Sequence, residues 1–176
     1  MKIFTYTFLC LSVFLAFSNF IYPSQAATTE LVKHICNQTS NYTFCVDSLY
    51  SDPRTPAAEA YVLAYVSFRL AYLNATATQD RIAVLLKHAA SGQSQHLHRC
   101  NHDYKKATSA LEQAYIDLDS ETFFELADLA GAAAHAADDC QATFKGTDYS
   151  SLATMNKNLK GLSEICVVVS KLFTES

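Results

Sequence analysis

Cysteine and histidine are the side chains here with the most chemistry to offer, and each occurs six times in 176 residues. His98 and His102 are four apart, a spacing that sets two imidazoles on one helix face as metal ligands, with His96 nearby. No third ligand follows by spacing, and the His-Glu-x-x-His pattern of zinc hydrolases is absent. These histidines read as solvated, and no metal site is expected. His135 lies among alanines and aspartates and reads as a helix-face residue rather than a base. Asp138 and Asp139 are paired carboxylates, the usual material of acid–base catalysis. Neighbours on a helix point about 100° apart, so a solvated face explains them better. There is no Gly-rich phosphate loop and no nucleophile elbow. No catalytic residue and no cofactor is expected.

What the thiols do depends on the compartment. Lys2 precedes an apolar run from Ile3 to Phe20, then Pro23 and the small-residue site Ser24-Gln25-Ala26. This pattern predicts a secretory signal peptide over residues 1–26, cleaved after Ala26, with Cys10 leaving in it. A membrane anchor is the competing reading. Polar residues break the run and no basic stop-transfer cluster follows, which speaks against it. The remainder, 27–176, is long enough for one domain with its own core. No later run is apolar enough to span a bilayer. A formal charge of −4 with no basic stripe argues against nucleic-acid binding.

Cys36, Cys45, Cys100, Cys140 and Cys166 remain. In an oxidising compartment an odd number means two bridges and a thiol, or an intermolecular bond. Three Asn-x-Thr sequons, at Asn37, Asn41 and Asn74, become glycan acceptors in a secreted chain if exposed. The first two lie near a turn-like stretch, while the third falls inside a helical pattern.

The elements that must position these groups are helices, as scarce Gly and Pro and helical spacing of Ala and Leu require. Leu97, Cys100, Tyr104, Ala107, Leu111, Ala114 and Leu118 alternate steps of three and four. So do Phe123, Leu126, Ala130, Ala133, Ala137, Cys140 and Phe144. Asp119-Ser120 between them supplies a turn and an N-cap signal. Two antiparallel helices result, about 94–118 and 120–145. Cys100 and Cys140 lie equally far from residue 120, on the inward stripes, so they meet at one level. Their bridge would close about 40 residues and contribute about 4 kcal/mol.

Cys36 and Cys45 suit a short helical hairpin, Thr28–Ile35 and Tyr42–Tyr50, within the span 28–50. That bridge is worth about 2.7 kcal/mol. A helix from Pro56 to Ser91, ended by Gly92, carries the stripe Val62, Val66, Leu70, Leu73 and Ala77. Tyr61, Tyr65, Phe68 and Tyr72 run beside it, completing the core or packing on the hairpin. Asn74–Thr78 is weakly helical and could kink. The last helix, about 148–173, carries Leu152, Met155, Leu159, Leu162, Cys166, Val169 and Phe173, which makes Cys166 a buried free thiol. Short connections make neighbours antiparallel, so residues 56–173 form an up-and-down four-helix bundle in an all-α, disulfide-stabilised fold. Alanine-rich stripes leave little room for an internal pocket.

Ile35-Cys36, the run Asn41 to Leu49 and the turn Asp52-Pro53-Arg54 resemble the plant invertase/pectin methylesterase inhibitor family. Cys100 and Cys140 match its second pair and Cys166 its unpaired fifth cysteine. The resemblance covers residues 28–176, and around Asn41 to Arg54 it is nearest the pollen members described as invertase inhibitors. It implies a secreted, non-catalytic inhibitor, monomeric when free, that blocks a plant acid invertase or a pectin methylesterase in the cell wall or vacuole. In the invertase branch a Pro-Lys-Phe segment meets the enzyme's acidic site. The equivalent stretch here is Ser120-Glu121-Thr122-Phe123-Phe124, so the resemblance makes Glu121, Thr122, Phe123 and Phe124 the partner-binding residues. Invertase is the expected target and pectin methylesterase the alternative. A secreted bundle with a ligand-binding or structural role is the reading from another class.

Overall fold

The structure, a computed structural model, describes residues 29–144 and 150–174. The expected leader and its cleavage site lie outside the described residues. Helix α1 spans Glu30–Cys36 and α2 spans Tyr42–Tyr50. A 3-10 turn at Thr55–Ala57 leads to α3, Ala60–Leu86. Helices α4 (Ser91–Asp119), α5 (Leu126–Thr143) and α6 (Ser150–Ser170) follow, with a closing 3-10 turn at Lys171–Phe173. Helices α3 to α6 form a four-helix bundle in which α3 and α5 each pack on both α4 and α6. The pair α1–α2 is appended, mainly on α6.

Side-chain oxygens start the two short helices. Thr29 Oγ1 accepts from Val32 N at 3.3 Å, and Asn41 Oδ1 accepts from Phe44 N at 3.1 Å. The Cys36–Cys45 disulfide joins the helices, with Cα atoms 5.5 Å apart. Gly161 of α6 holds the hairpin close, since a Cβ there would come within 2.6 Å of the Phe44 ring. Glu164 accepts from Ser40 N at 2.8 Å and from Ser40 Oγ at 2.7 Å. The Asp-Pro-Arg turn closes on a buried carboxylate. Asp52 is 4% exposed and takes two hydrogen bonds from the Arg54 guanidinium, at 2.9 and 2.7 Å. Those bonds hold its carboxyl down to about 2, against the opposing effect of burial.

The expected stripes of α4 are buried throughout, as are those of α5 apart from half-buried Phe123. Cys100 and Cys140 are bonded across α4 and α5, with Cα atoms 4.5 Å apart. Cys166 is fully buried on α6, and desolvation pushes its thiol up to about 12, which makes it inert. Tyr104 donates to Asn156 Oδ1 at 2.7 Å, and Asn156 donates to Gln141 Oε1 at 2.9 Å. This ties α4, α6 and α5 through the core.

Five expectations need correction. Pro56 belongs to the 3-10 turn, and Glu59 in extended conformation precedes α3. Gly92 does not stop a helix. Instead α3 ends at Leu86, and Gly92 is the second residue of α4, with nothing within 4 Å of an added Cβ. The buried face of α3 is Leu63, Ala64, Val66, Ser67, Phe68, Ala71, Ala75, Thr78 and Ile82, while Leu73 and Val62 are 46% and 37% exposed. Alanines on this face let helix axes approach, and Leu63, Phe68 and Ile82 are fully buried beside them. Ser120 caps the end of α4 rather than the start of the next helix, which begins at Leu126. Helix α3 runs unbroken through Asn74–Thr78, where Thr78 Oγ1 back-bonds to Asn74 O at 2.7 Å.

Candidate partner-binding end of the bundle

The α4–α5 connection, Ser120 to Glu125, lies at one end of the bundle. It begins as a Schellman motif, with Glu121 N donating to Leu118 O at 3.2 Å and Thr122 N to Asp117 O at 2.8 Å. The residue after the cap must then be left-handed. That residue is Glu121, with φ 56°, where glycine is the usual choice. Ser120 Oγ and Thr122 Oγ1 lie 2.8 Å apart and stiffen the turn.

The two phenylalanines that follow diverge. Phe123 turns inward, stacked on Phe173 with ring centroids 4.5 Å apart, and meets Tyr61 edge-on at 6.3 Å. Phe124 turns outward and is 88% exposed. Ile116, on the last turns of α4, is 58% exposed. A recess of about 300 Å³ lies beside them, lined by Asp117, Thr122, Phe124 and Glu125. An apolar side chain so fully in water is the kind a partner surface buries.

The charge around Phe124 has one sign. Asp117, Asp119, Glu121, Glu125 and Asp128 fall in this segment, and the chain has no Lys, Arg or His between Lys106 and His135. Asp117 is 8% exposed and accepts from Gln113 Nε2 at 2.8 Å. Asp119 accepts from the Tyr65 hydroxyl, which that bond holds protonated far above the ordinary tyrosine range.

Of the expected stripe, Phe68 is buried in the core and Tyr65 and Tyr72 pack against it, and the tyrosines staple α3 to α4. Tyr61 donates to Leu118 O at 2.7 Å and Tyr72 to Glu112 Oε1 at 3.0 Å. The rings of Tyr61, Tyr65, Tyr115 and Tyr72 form a chain with centroids 5.2 to 6.1 Å apart. With those three hydroxyls engaged, the stripe is a clasp that fixes the end of α4.

The remaining candidates lie elsewhere. His98, His102 and His135 are exposed, and the described residues hold no cluster of three or more His, Cys, Asp or Glu able to bind a metal. Asn37 and Asn41 are exposed at the hairpin turn; Asn74 is half-buried in α3. No described helix is long and apolar enough to cross a membrane. Spacing did not single out Asp103, which is 4% exposed on α4 with no hydrogen-bond partner for Oδ2. It stands three residues after Cys100, on the apolar face, and its charge alone makes it look solvated in a periodic pattern.

Comparison with known proteins places the chain. The plant invertase/pectin methylesterase inhibitor family matches residues 30–169. A pectinesterase inhibitor of Actinidia deliciosa is 30% identical over 157 residues, 88% of this chain and 85% of that protein. A cell wall/vacuolar inhibitor of fructosidase from Arabidopsis thaliana is 32% identical over 102 residues, 57% of each chain. A crystal structure of a mutant pectin methylesterase inhibitor from Arabidopsis superposes with a TM-score of 0.75 at 23% identity. The superposition covers 82% of this chain and 97% of that one, and shows the fold. Family and fold are those of non-catalytic inhibitor proteins, and the cysteine framework, hairpin and bundle agree: the chain belongs to the plant invertase/pectin methylesterase inhibitor family.

Proposed function

We propose that this protein is secreted and inhibits a pectin methylesterase, reversing the order of targets expected from the sequence. The observation that carries this reading is the charge of the α4–α5 connection. The stretch equivalent to the invertase branch's Pro-Lys-Phe has no lysine and carries Glu121 instead, with Asp119 and Glu125 on either side. An acid invertase offers catalytic carboxylates to whatever enters its cleft. Two like charges about 4 Å apart repel by about 4 kcal/mol at the effective dielectric of a protein surface, close to a thousandfold in affinity. Identity leans the same way among relatives matched over most of their length: 30% to the Actinidia pectinesterase inhibitor over 85% of that protein, against 26% to a putative invertase inhibitor of Platanus acerifolia over 97% of it. The invertase reading keeps the support of the fructosidase inhibitor, at 32% identity over a shorter span.

In this reading Phe124 is an anchor that the enzyme buries. Full burial of a phenylalanine is worth about 2–3 kcal/mol. The deciding experiment titrates residues 27–176, with both disulfides formed, into a plant pectin methylesterase and a plant acid invertase at mildly acidic pH. Inhibition of the esterase with the invertase untouched is expected. Inhibition of the invertase alone overturns the proposal.

A further inference from the structure

A groove of about 340 Å³ runs between the hairpin turn and α6. Its lining includes Ser40, Asn41, Phe44, Lys157, Lys160 and Glu164. Asn41 stands on its lip and opens the sequon Asn41-Tyr42-Thr43. We propose that this groove seats the first N-acetylglucosamine of an N-linked glycan carried by Asn41, so that the sugar becomes part of the hairpin–bundle contact.

The Asn41 side chain is divided between two tasks. Its Oδ1 caps α2 by accepting from Phe44 N, which fixes the rotamer. Its Nδ2, the atom that takes the sugar, makes no hydrogen bond among the described residues and is free to carry a substituent. Capping and glycosylation therefore use different atoms, and the cap orients the bond to the sugar.

The groove suits a pyranose in size and lining. Small-molecule clefts begin at about 300 Å³. Half-buried Phe44 supplies an apolar floor for the C–H face of a sugar ring. Lys157 and the Ser40–Glu164 pair border it with groups able to bond hydroxyls, while Lys160, also in the lining, is held by Asp138 at 2.8 Å. The other sequons lack such a seat. Asn37 does not line the groove. Asn74 has a buried Oδ1 without a partner, inside α3, so a glycan there would have to draw that side chain out of its packing.

The modification uses a lipid-pyrophosphate-linked oligosaccharide as donor. Asn41 Nδ2 bonds to the anomeric carbon, the bond from that carbon to the pyrophosphate oxygen breaks, and Nδ2 loses one proton. The lipid pyrophosphate leaves, with no change in oxidation state. Transfer occurs in the secretory pathway, so this inference rests on the expected leader at residues 1–26 and not on which enzyme is inhibited.

The test expresses the full chain in a eukaryotic secretory host that makes high-mannose glycans. Glycopeptide mass spectrometry should find Asn41 occupied. Endoglycosidase trimming to a single N-acetylglucosamine should leave Tm unchanged. Complete removal by peptide-N-glycosidase converts Asn41→Asp, which keeps a capping oxygen. Any loss then reports the sugar, and a fall of roughly 2–4 °C is expected. Secreted protein with Asn41 unmodified overturns the proposal. So does a Tm unmoved by complete removal, or one that falls as far on trimming to the single sugar. A chain retained in the cell refutes the secretory reading too, and that failure is visible separately from the inhibition assay.

Discussion

Glu121 sits where the backbone favours glycine. A non-glycine residue in the left-handed region costs about 1–2 kcal/mol, and Glu121 holds it to close the Schellman motif. Glu121→Gly should therefore raise stability by about 1 kcal/mol in a urea titration. Such strain persists most often where function wants the side chain. The two phenylalanines should separate cleanly. Phe124→Ala should weaken inhibition at least tenfold with Tm unchanged, because the ring touches little of its own chain. Phe123→Ala removes the stack on Phe173 and should lower Tm. A Phe124 variant that inhibits as well as the parent would move the interface off this end of the bundle. Asp103 makes a prediction about pH. Burial raises its pKa in the fold, helped by Asp139 and opposed by Lys106, Arg99 and His102. A carboxyl with a raised folded pKa weakens the fold above that pKa. The penalty fades as pH falls through the folded value toward the unfolded one near 4. Asp103→Asn should stabilise the protein by about 1 kcal/mol at neutral pH, with the gain shrinking in acid.

At the scale of elements, the disulfides and the small residues matter most. Reducing Cys100–Cys140 frees a loop of 40 residues between α4 and α5 and should cost about 4 kcal/mol. Differential scanning calorimetry after confirmed reduction should find a clear fall in Tm. The hairpin depends on a close approach, since its Phe44 ring occupies the space a side chain at Gly161 would need. Alanines do the same inside the bundle, where Ala64, Ala71 and Ala75 of α3 and Ala130, Ala133 and Ala137 of α5 are buried. Small residues thus line the described core, and the contact proposed for the partner lies outside it, at the α4–α5 connection.

The whole molecule is a bundle with two latches on one helix. Helix α6 packs on α3 and α5 and also carries Gly161 and Glu164, which hold the hairpin. Hairpin and bundle therefore share an element and should unfold in one cooperative transition. Tyrosine fluorescence and far-ultraviolet circular dichroism should report coincident urea curves; a separate early transition would mean the hairpin opens alone.

By itself the sequence determined the fold class, the four bundle helices and the inward faces of α4, α5 and α6, because helical periodicity is local and those stripes were continuous. The meeting of Cys100 and Cys140 followed from counting residues on either side of one turn. Other features needed the tertiary structure. The buried face of α3, which mixes Leu63, Phe68 and Ile82 with Ala64, Ala71 and Ala75, was settled by how α4 and α6 pack on it, because apolar residues on this helix point in several directions. The stop before Gly92 and the late start of α5 at Leu126 also needed the tertiary structure, since Gly92 lies inside the first turn of α4 and Ser120 caps the end of α4. The split between Phe123 and Phe124 came from Phe173, about fifty residues away in the chain. Long-range packing of that kind leaves no mark in local spacing.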